Sequence, residues 1–114
     1  MSFKDLLGKE LLFFDGAMGT MLQARGLKPG ELPELWNFTH ADVIKEVHTA
    51  YLKAGVNIIK TNTFGANRLK FAGTDIKTAE AVAAGVRNAK EACAPFAKTF
   101  VALDLGPTGK LLAP

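Results

Sequence analysis

Val56-Asn57-Ile58-Ile59-Lys60-Thr61-Asn62-Thr63-Phe64-Gly65 turns from apolar to polar within ten residues. Val56 to Ile59 reads as a buried strand, since a short apolar run bounded by turn residues suits a strand packed on both faces. The strand closes on Lys60-Thr61-Asn62-Thr63, three short polar side chains behind a lysine. Alternation along an extended chain sends Thr61 and Thr63 one way and Asn62 the other. Phe64 is placed to cover an aliphatic ligand, or simply to pack; turn chemistry accounts for the polar residues equally well.

Upstream of this stretch, Val43, Ile44, Val47, Tyr51 and Leu52 recur at helical spacing and make one apolar face. Thr39 is a suitable N-cap for a helix running through Ala54, and Gly55 ends it. Lys28 to Trp36, with two prolines and a glycine, reads as a surface loop pinned by Leu35 and Trp36. Leu11 to Phe14 is a further apolar run broken by Asp15-Gly16, and reads as the first strand. Ala17 to Ala24 follows as a short helix stopped at Gly26. Downstream, Ala66 to Phe71 suits a short helix and Lys77 to Ala94 a longer one. Val82, Ala83, Val86, Ala89 and Cys93 are expected on the inner face of that longer helix. Phe100 to Leu103 is the third strand, ended by Asp104-Leu105-Gly106-Pro107.

Strands alternating with helices imply crossover connections and a parallel sheet, hence an α/β fold. There is no internal repeat, linker or low-complexity tract. The chain closes at Leu111-Leu112-Ala113-Pro114 without a capping element, so a truncated fold is expected, poorly stable or self-associating when isolated.

The 114 residues suffice for one domain with a core, and 48% hydrophobic with 22% charged residues is ordinary for a soluble protein. The net charge of +3 is scattered: Lys45, Glu46 and Lys53 share one stretch, and Arg87, Lys90 and Glu91 another. Without a basic stripe, no nucleic-acid partner is expected. No apolar run approaches the ~20 residues of a membrane span, and Met1 to Lys9 lacks the pattern of a signal peptide. Cys93 is the only cysteine, which excludes an internal disulfide and a thiolate-rich metal site. A reducing, cytoplasmic setting fits best. On an alanine-rich helix face, Cys93 reads as core.

In parallel α/β proteins function gathers at the carboxyl ends of strands. Here those ends are Asp15-Gly16-Ala17-Met18-Gly19-Thr20, Thr61-Asn62-Thr63-Phe64-Gly65 and Asp104-Leu105-Gly106-Pro107-Thr108-Gly109. Asp15 can place a carboxylate at the mouth, and the glycines let the backbone approach a ligand. The following helix start offers free N–H groups to an anionic group. Together these suit a zwitterionic amino acid, with its ammonium on Asp15; an Asp that only caps a helix is the competing explanation. Asp104 resembles Asp15 in placement, and a structural turn anchor explains it as well. His40 and His48 stand eight apart, not the three or four that pair metal ligands on one helix. Met18 and Met21 read as packing side chains. Gly106 to Lys110 lacks phosphate-loop spacing.

Taken together these segments resemble one family. Phe14-Asp15-Gly16-Ala17-Met18-Gly19-Thr20-Met21-Leu22 is similar to the opening of the homocysteine S-methyltransferases. So are Asn37-Phe38-Thr39-His40-Ala41-Asp42-Val43-Ile44 and Ile58-Ile59-Lys60-Thr61-Asn62-Thr63-Phe64-Gly65-Ala66-Asn67-Arg68, and so is Asp104 to Gly109. The resemblance runs nearly the whole chain, and is nearest to the homocysteine-binding module of cobalamin-dependent methionine synthases. It implies the N-terminal part of a (β/α)8 barrel, a fold of ~250 residues, with residues 1–114 as a truncated portion.

The implied activity is methyl transfer to the zinc-activated thiolate of homocysteine, forming methionine, with methylcobalamin as donor in methionine synthases, and betaine or S-methylmethionine in relatives; folate- and cobalamin-binding modules of the same polypeptide are the implied partners. Asp15 and the backbone of Gly16, Ala17 and Met18 would then hold the amino-acid end of homocysteine, with Thr61 and Phe64 lining the pocket. The family's zinc ligands are cysteines on later strands, so no metal ligand is expected in this chain. A self-contained α/β binding module, or a fragment of another barrel enzyme such as an aldolase with Lys60 as its amine, are the alternatives.

Overall fold

A computed structural model describes residues 3–6, 12–66, 71–72 and 76–106. Helices and two short strands follow in the order α1 (Phe3–Leu6), α2 (Met18–Gln23), a 3-10 turn (Pro33–Leu35), α3 (Trp36–Thr39), α4 (Ala41–Lys53), β1 (Ile58–Lys60), α5 (Thr78–Cys93) and β2 (Phe100–Ala102). β1 and β2 run parallel, with Ile58 opposite Phe100, Ile59 opposite Val101 and Lys60 opposite Ala102. The connection between them is α5, as a parallel pair demands. The chain is therefore α/β with a small parallel sheet.

The expected first strand is reduced to a single parallel bridge between Phe14 and Ile58. Phe13 accepts N–H bonds from Asn57 and Ile58 at its carbonyl, and its own N–H goes to the Asn57 side chain. Too few residues pair for a ladder. Nor is the run buried on both faces: successive side chains point to opposite faces, yet Phe13 is 52% and Phe14 57% exposed. Leu11 lies outside the described residues, as do positions 67–70 of the helix expected over Ala66 to Phe71 and the turn beyond Gly106.

α4 and α5 pack on the Ile59 side of the sheet, while Phe3 of α1 meets Phe100 edge-on, opposite Ile58. Alternation sends Ile59 toward Leu52, Ala89, Ala92 and Cys93, which form one cluster. Leu22, Leu27, Trp36, Ile44 and Val47 form a second cluster between α2 and α4, with Val43 and Tyr51 against it. The apolar face expected on α4 is thus the packed one.

Three local expectations are corrected. Thr39 is not the cap of α4: it ends α3, and His40 occupies the cap position. The Thr39 hydroxyl instead lies 2.7 Å from the His40 ring and 3.4 Å from the Leu35 carbonyl. Leu35 does not pin the preceding loop, being exposed; Trp36 does, buried, with its ring N–H on Glu31 and its face stacked on His40. On α5 the inner face is rotated from the one expected. Ala81, Ala84, Gly85, Asn88, Ala89, Ala92 and Cys93 are buried while Ala83 is exposed. The reason is close approach: a Cβ on Gly85 would lie 2.7 Å from the Thr63 methyl and 3.1 Å from the Asn37 amide nitrogen.

At that contact three buried asparagines join the layers. Asn37 donates to the carbonyls of Asn62 at 2.8 Å and Ala81 at 3.3 Å. Asn62 donates to the Pro33 carbonyl at 2.8 Å and the Asn37 side-chain oxygen at 3.1 Å. Asn88 donates to the Asn37 carbonyl at 3.1 Å. Asn37→Ala would strip partners from at least two buried groups, so unfolding in denaturant should show a loss of about 1–3 kcal/mol for each group left unpaired. A loss under 0.5 kcal/mol would mean the network contributes little.

His48 is fully buried on α4, and neither ring nitrogen has a hydrogen-bond partner. Burial pushes its pKa down to about 4 from the ordinary 6.5. The folded chain therefore keeps the ring neutral while the unfolded chain binds a proton below pH 6.5. Stability should fall as pH drops from about 6.5 toward 4, by up to ~3 kcal/mol from this residue. Melting temperatures measured across that range should be less steep in His48→Leu; an identical slope would exclude His48 as the cause.

Candidate functional site

A cavity of about 550 Å³ opens where the bridge at Phe14, β1 and β2 end. Its lining includes Asp15 to Gly19, Glu31 to Glu34, Lys60 to Asn62, Phe64, Gly65 and Asp104. All six residues expected near a substrate, Asp15, Gly16, Ala17, Met18, Thr61 and Phe64, line its walls. They come from two segments, Asp15 to Met18 and Thr61 to Phe64, distant in sequence, and the parallel pairing at Phe14 and Ile58 brings their ends level.

Asp15 is 7% exposed, and its carboxylate accepts the Lys60 N–H at 3.1 Å. Its own N–H continues the pairing onto the Ile58 carbonyl at 3.1 Å. Burial pushes the carboxyl above its ordinary range, against the opposing pull of the Lys60 N–H and ammonium. A helix cap is not its role: the cap position of α2 is Ala17, with no side-chain cap bond. Gly16 is required beside it, because a Cβ there would come within 2.7 Å of the Tyr51 hydroxyl, which donates to the Ala17 carbonyl. With only six residues, α2 offers a weak dipole to an anion.

Thr61 lines the cavity but is 2% exposed, and its hydroxyl is engaged. The Asp104 N–H donates to Thr61 at 3.1 Å, the two threonine hydroxyls stand 2.6 Å apart, and Thr63 donates to the Asp104 carbonyl at 2.7 Å. A carbonyl only accepts, so the Thr63 proton goes to Asp104 and Thr61 must donate to Thr63. The result is a closed ring of three bonds tying the end of β1 to the end of β2. Thr61 thus shapes the wall more than it offers a donor. Phe64, 58% exposed, stands at the rim.

Glu34 was not legible as a site residue. It sits in the proline-containing strap expected to lie on the surface, yet is 4% exposed and lines the cavity. One carboxylate oxygen takes the Gly65 N–H and the other has no partner. Glu34 thereby fastens the strap to the loop after β1. Its only sequence signal is an acid between Pro33 and an apolar pair.

Among the described residues, no group of three or more His, Cys, Asp or Glu converges so as to hold a metal ion. Cys93 is buried, and burial raises its thiol pKa. These residues do not fit a zinc centre. Nor, among the described residues, is any helix long and apolar enough to cross a membrane.

The sequence profile of homocysteine S-methyltransferase matches residues 12–114. The chain belongs to the homocysteine S-methyltransferase family. It is 34% identical over 119 residues to methionine synthase of Mycobacterium tuberculosis and 34% identical over 121 residues to that of Mycobacterium leprae. Each alignment covers 94% of this chain and 10% of the relative. In structure it is similar to the homocysteine methyltransferase MmuM of Escherichia coli. The oxidized form superposes with a TM-score of 0.77 at 31% identity, the metallated form with 0.74 at 30%. Both cover 93% of this chain and 41% of MmuM. The chain thus spans about a tenth of the curated relatives and under half of the solved one. Family membership removes the aldolase alternative.

Thr63→Val keeps the shape of the ring but leaves the Asp104 carbonyl without its donor and the Thr61 hydroxyl proton without its acceptor. Unfolding should cost about 1–3 kcal/mol less than in wild type, and Thr63→Ser should restore most of it. Equal stability of the valine and serine variants would exclude the ring as a fastening.

Proposed function

We propose that residues 1–114 form the N-terminal portion of a (β/α)8 barrel domain that binds homocysteine and, within a larger cytoplasmic enzyme, presents its thiol for methylation to methionine. One observation carries this reading. The family's recognisable segments supply the walls of a single cavity, with a desolvated carboxylate, Asp15, in its wall.

In this reading Asp15 receives the ligand ammonium. A carboxylate stripped of water gains most from a charged donor, and its alignment is held by the Lys60 N–H. Gly16, Ala17 and Met18 let the backbone approach the amino-acid end. Thr61 gives a fixed wall, and Phe64 covers the aliphatic stem at the rim. Activation of the thiol falls to groups outside the described residues. Zinc and methylcobalamin belong to the full enzyme on this view, together with folate- and cobalamin-binding modules, and no described residue coordinates either cofactor.

Asp15→Asn in the full-length protein tests the reading. It removes the charge and keeps the shape. Charge-assisted bonds contribute about 1.5–3 kcal/mol, so homocysteine affinity should weaken by roughly tenfold to a hundredfold or more. Metal content and affinity for the methyl donor should stay at the wild-type level. Titration calorimetry at matched metal occupancy measures this, and unchanged homocysteine affinity would remove Asp15 from the site.

A further inference from the structure

Phe64 is exposed at the cavity rim, yet the backbone beneath it is held from more than one side. The Ala66 N–H donates to the Thr63 carbonyl at 3.0 Å, so Phe64 and Gly65 are the central pair of a tight turn. The Gly65 N–H within that turn goes to the Glu34 carboxylate on the strap. A Cβ on Gly65 would lie 2.5 Å from the same carboxylate oxygen, so the strap approaches too closely for a side chain there. The loop after β2 closes the other side. A Cβ on Gly106 would run into the Phe64 carbonyl and come within 2.9 Å of the Phe64 ring.

Apolar packing does not account for this clamp, because Phe64 belongs to neither apolar cluster. Nor does fastening of the strap account for it. Asn62 already donates to the Pro33 carbonyl at 2.8 Å, one residue before Glu34. Glu34 is 4% exposed, and its second oxygen has no hydrogen-bond partner among the described residues. A carboxylate buried with an oxygen unpaired is costly. What it supplies in return is a bond to an amide N–H about twice as strong as a neutral acceptor makes. That bond fixes the turn, and with it the one aromatic ring that stands over the cavity among the described residues lining it.

We propose that Glu34 is a positioning residue for ligand binding: it holds the Phe64–Gly65 turn so that the Phe64 ring stays over the aliphatic stem of the bound ligand. This deepens the homocysteine reading and rests on it. Glu34 acts through Phe64 and has no part in the transfer itself. The strap stays tied by Asn62 when Glu34 is replaced, so the effect of a substitution falls on the turn.

Calorimetric titration of homocysteine into the full-length protein, at matched metal occupancy, tests this as a double-mutant cycle. Glu34→Ala and Phe64→Ala should each weaken binding by roughly fivefold to thirtyfold, as loss of one apolar contact would. The double variant should bind no more than about twofold weaker than the poorer single one, because both substitutions remove the same contact. Glu34→Gln keeps an acceptor for the Gly65 N–H and should recover most of the affinity. Where Glu34→Ala does not fold, Glu34→Leu fills the space and completes the cycle. Losses that add in the double variant, or unchanged affinity in either single variant, overturn the role of Glu34 and leave the homocysteine reading standing. A Glu34→Ala protein that only melts at a lower temperature counts among these. A wild-type protein that does not bind homocysteine overturns both.

Discussion

The buried contact of Asn37, Asn62 and Asn88 is the constraint on which the rest of the structure depends. Asn62 belongs to the loop leaving β1, Asn37 to α3 and Asn88 to α5, so one set of amides connects three elements that share no sequence neighbourhood. Each amide is nearly or fully removed from water, so each must find partners within the protein. Their geometry then sets how closely α5 approaches the loop, which is why position 85 carries no side chain.

That approach positions the site. With Asn62 turned toward α3, alternation turns Thr61 and Thr63 toward Asp104, and the hydroxyl ring closes between β1 and β2. With Asn62 also on the Pro33 carbonyl, the strap carrying Glu34 is drawn across the cavity and fastened at Gly65. The cavity walls are thus consequences of buried polar bonding, not of apolar packing, while the two apolar clusters lie behind the sheet on the helix side.

The open side of the sheet has the opposite character. Phe14 remains exposed there, and a further cavity of about 320 Å³ is lined by Phe3, Phe14, Ile58, Phe100, Val101 and Ala102. A face of this composition needs covering in water.

Local pattern determined most of what was legible from sequence alone. Helical spacing marked α4 and α5, apolar runs marked β1 and β2, and glycine-rich turns after them marked Asp15, Thr61 and Phe64 as residues to watch, because each of these signals depends only on neighbours within a few positions. Tertiary structure decided the rest. Phe13 and Phe14 look buried by composition, but burial depends on what covers them. Thr39 has the chemistry of a cap, but the turn of α3 gave that position to His40. The inner face of α5 followed Gly85 and Asn88 instead of its valines, because a close polar contact outweighed the apolar spacing. Glu34 and Lys60 acquired their places at the cavity only when the strap and the strand end met there, a long-range fact that no spacing along the chain encodes.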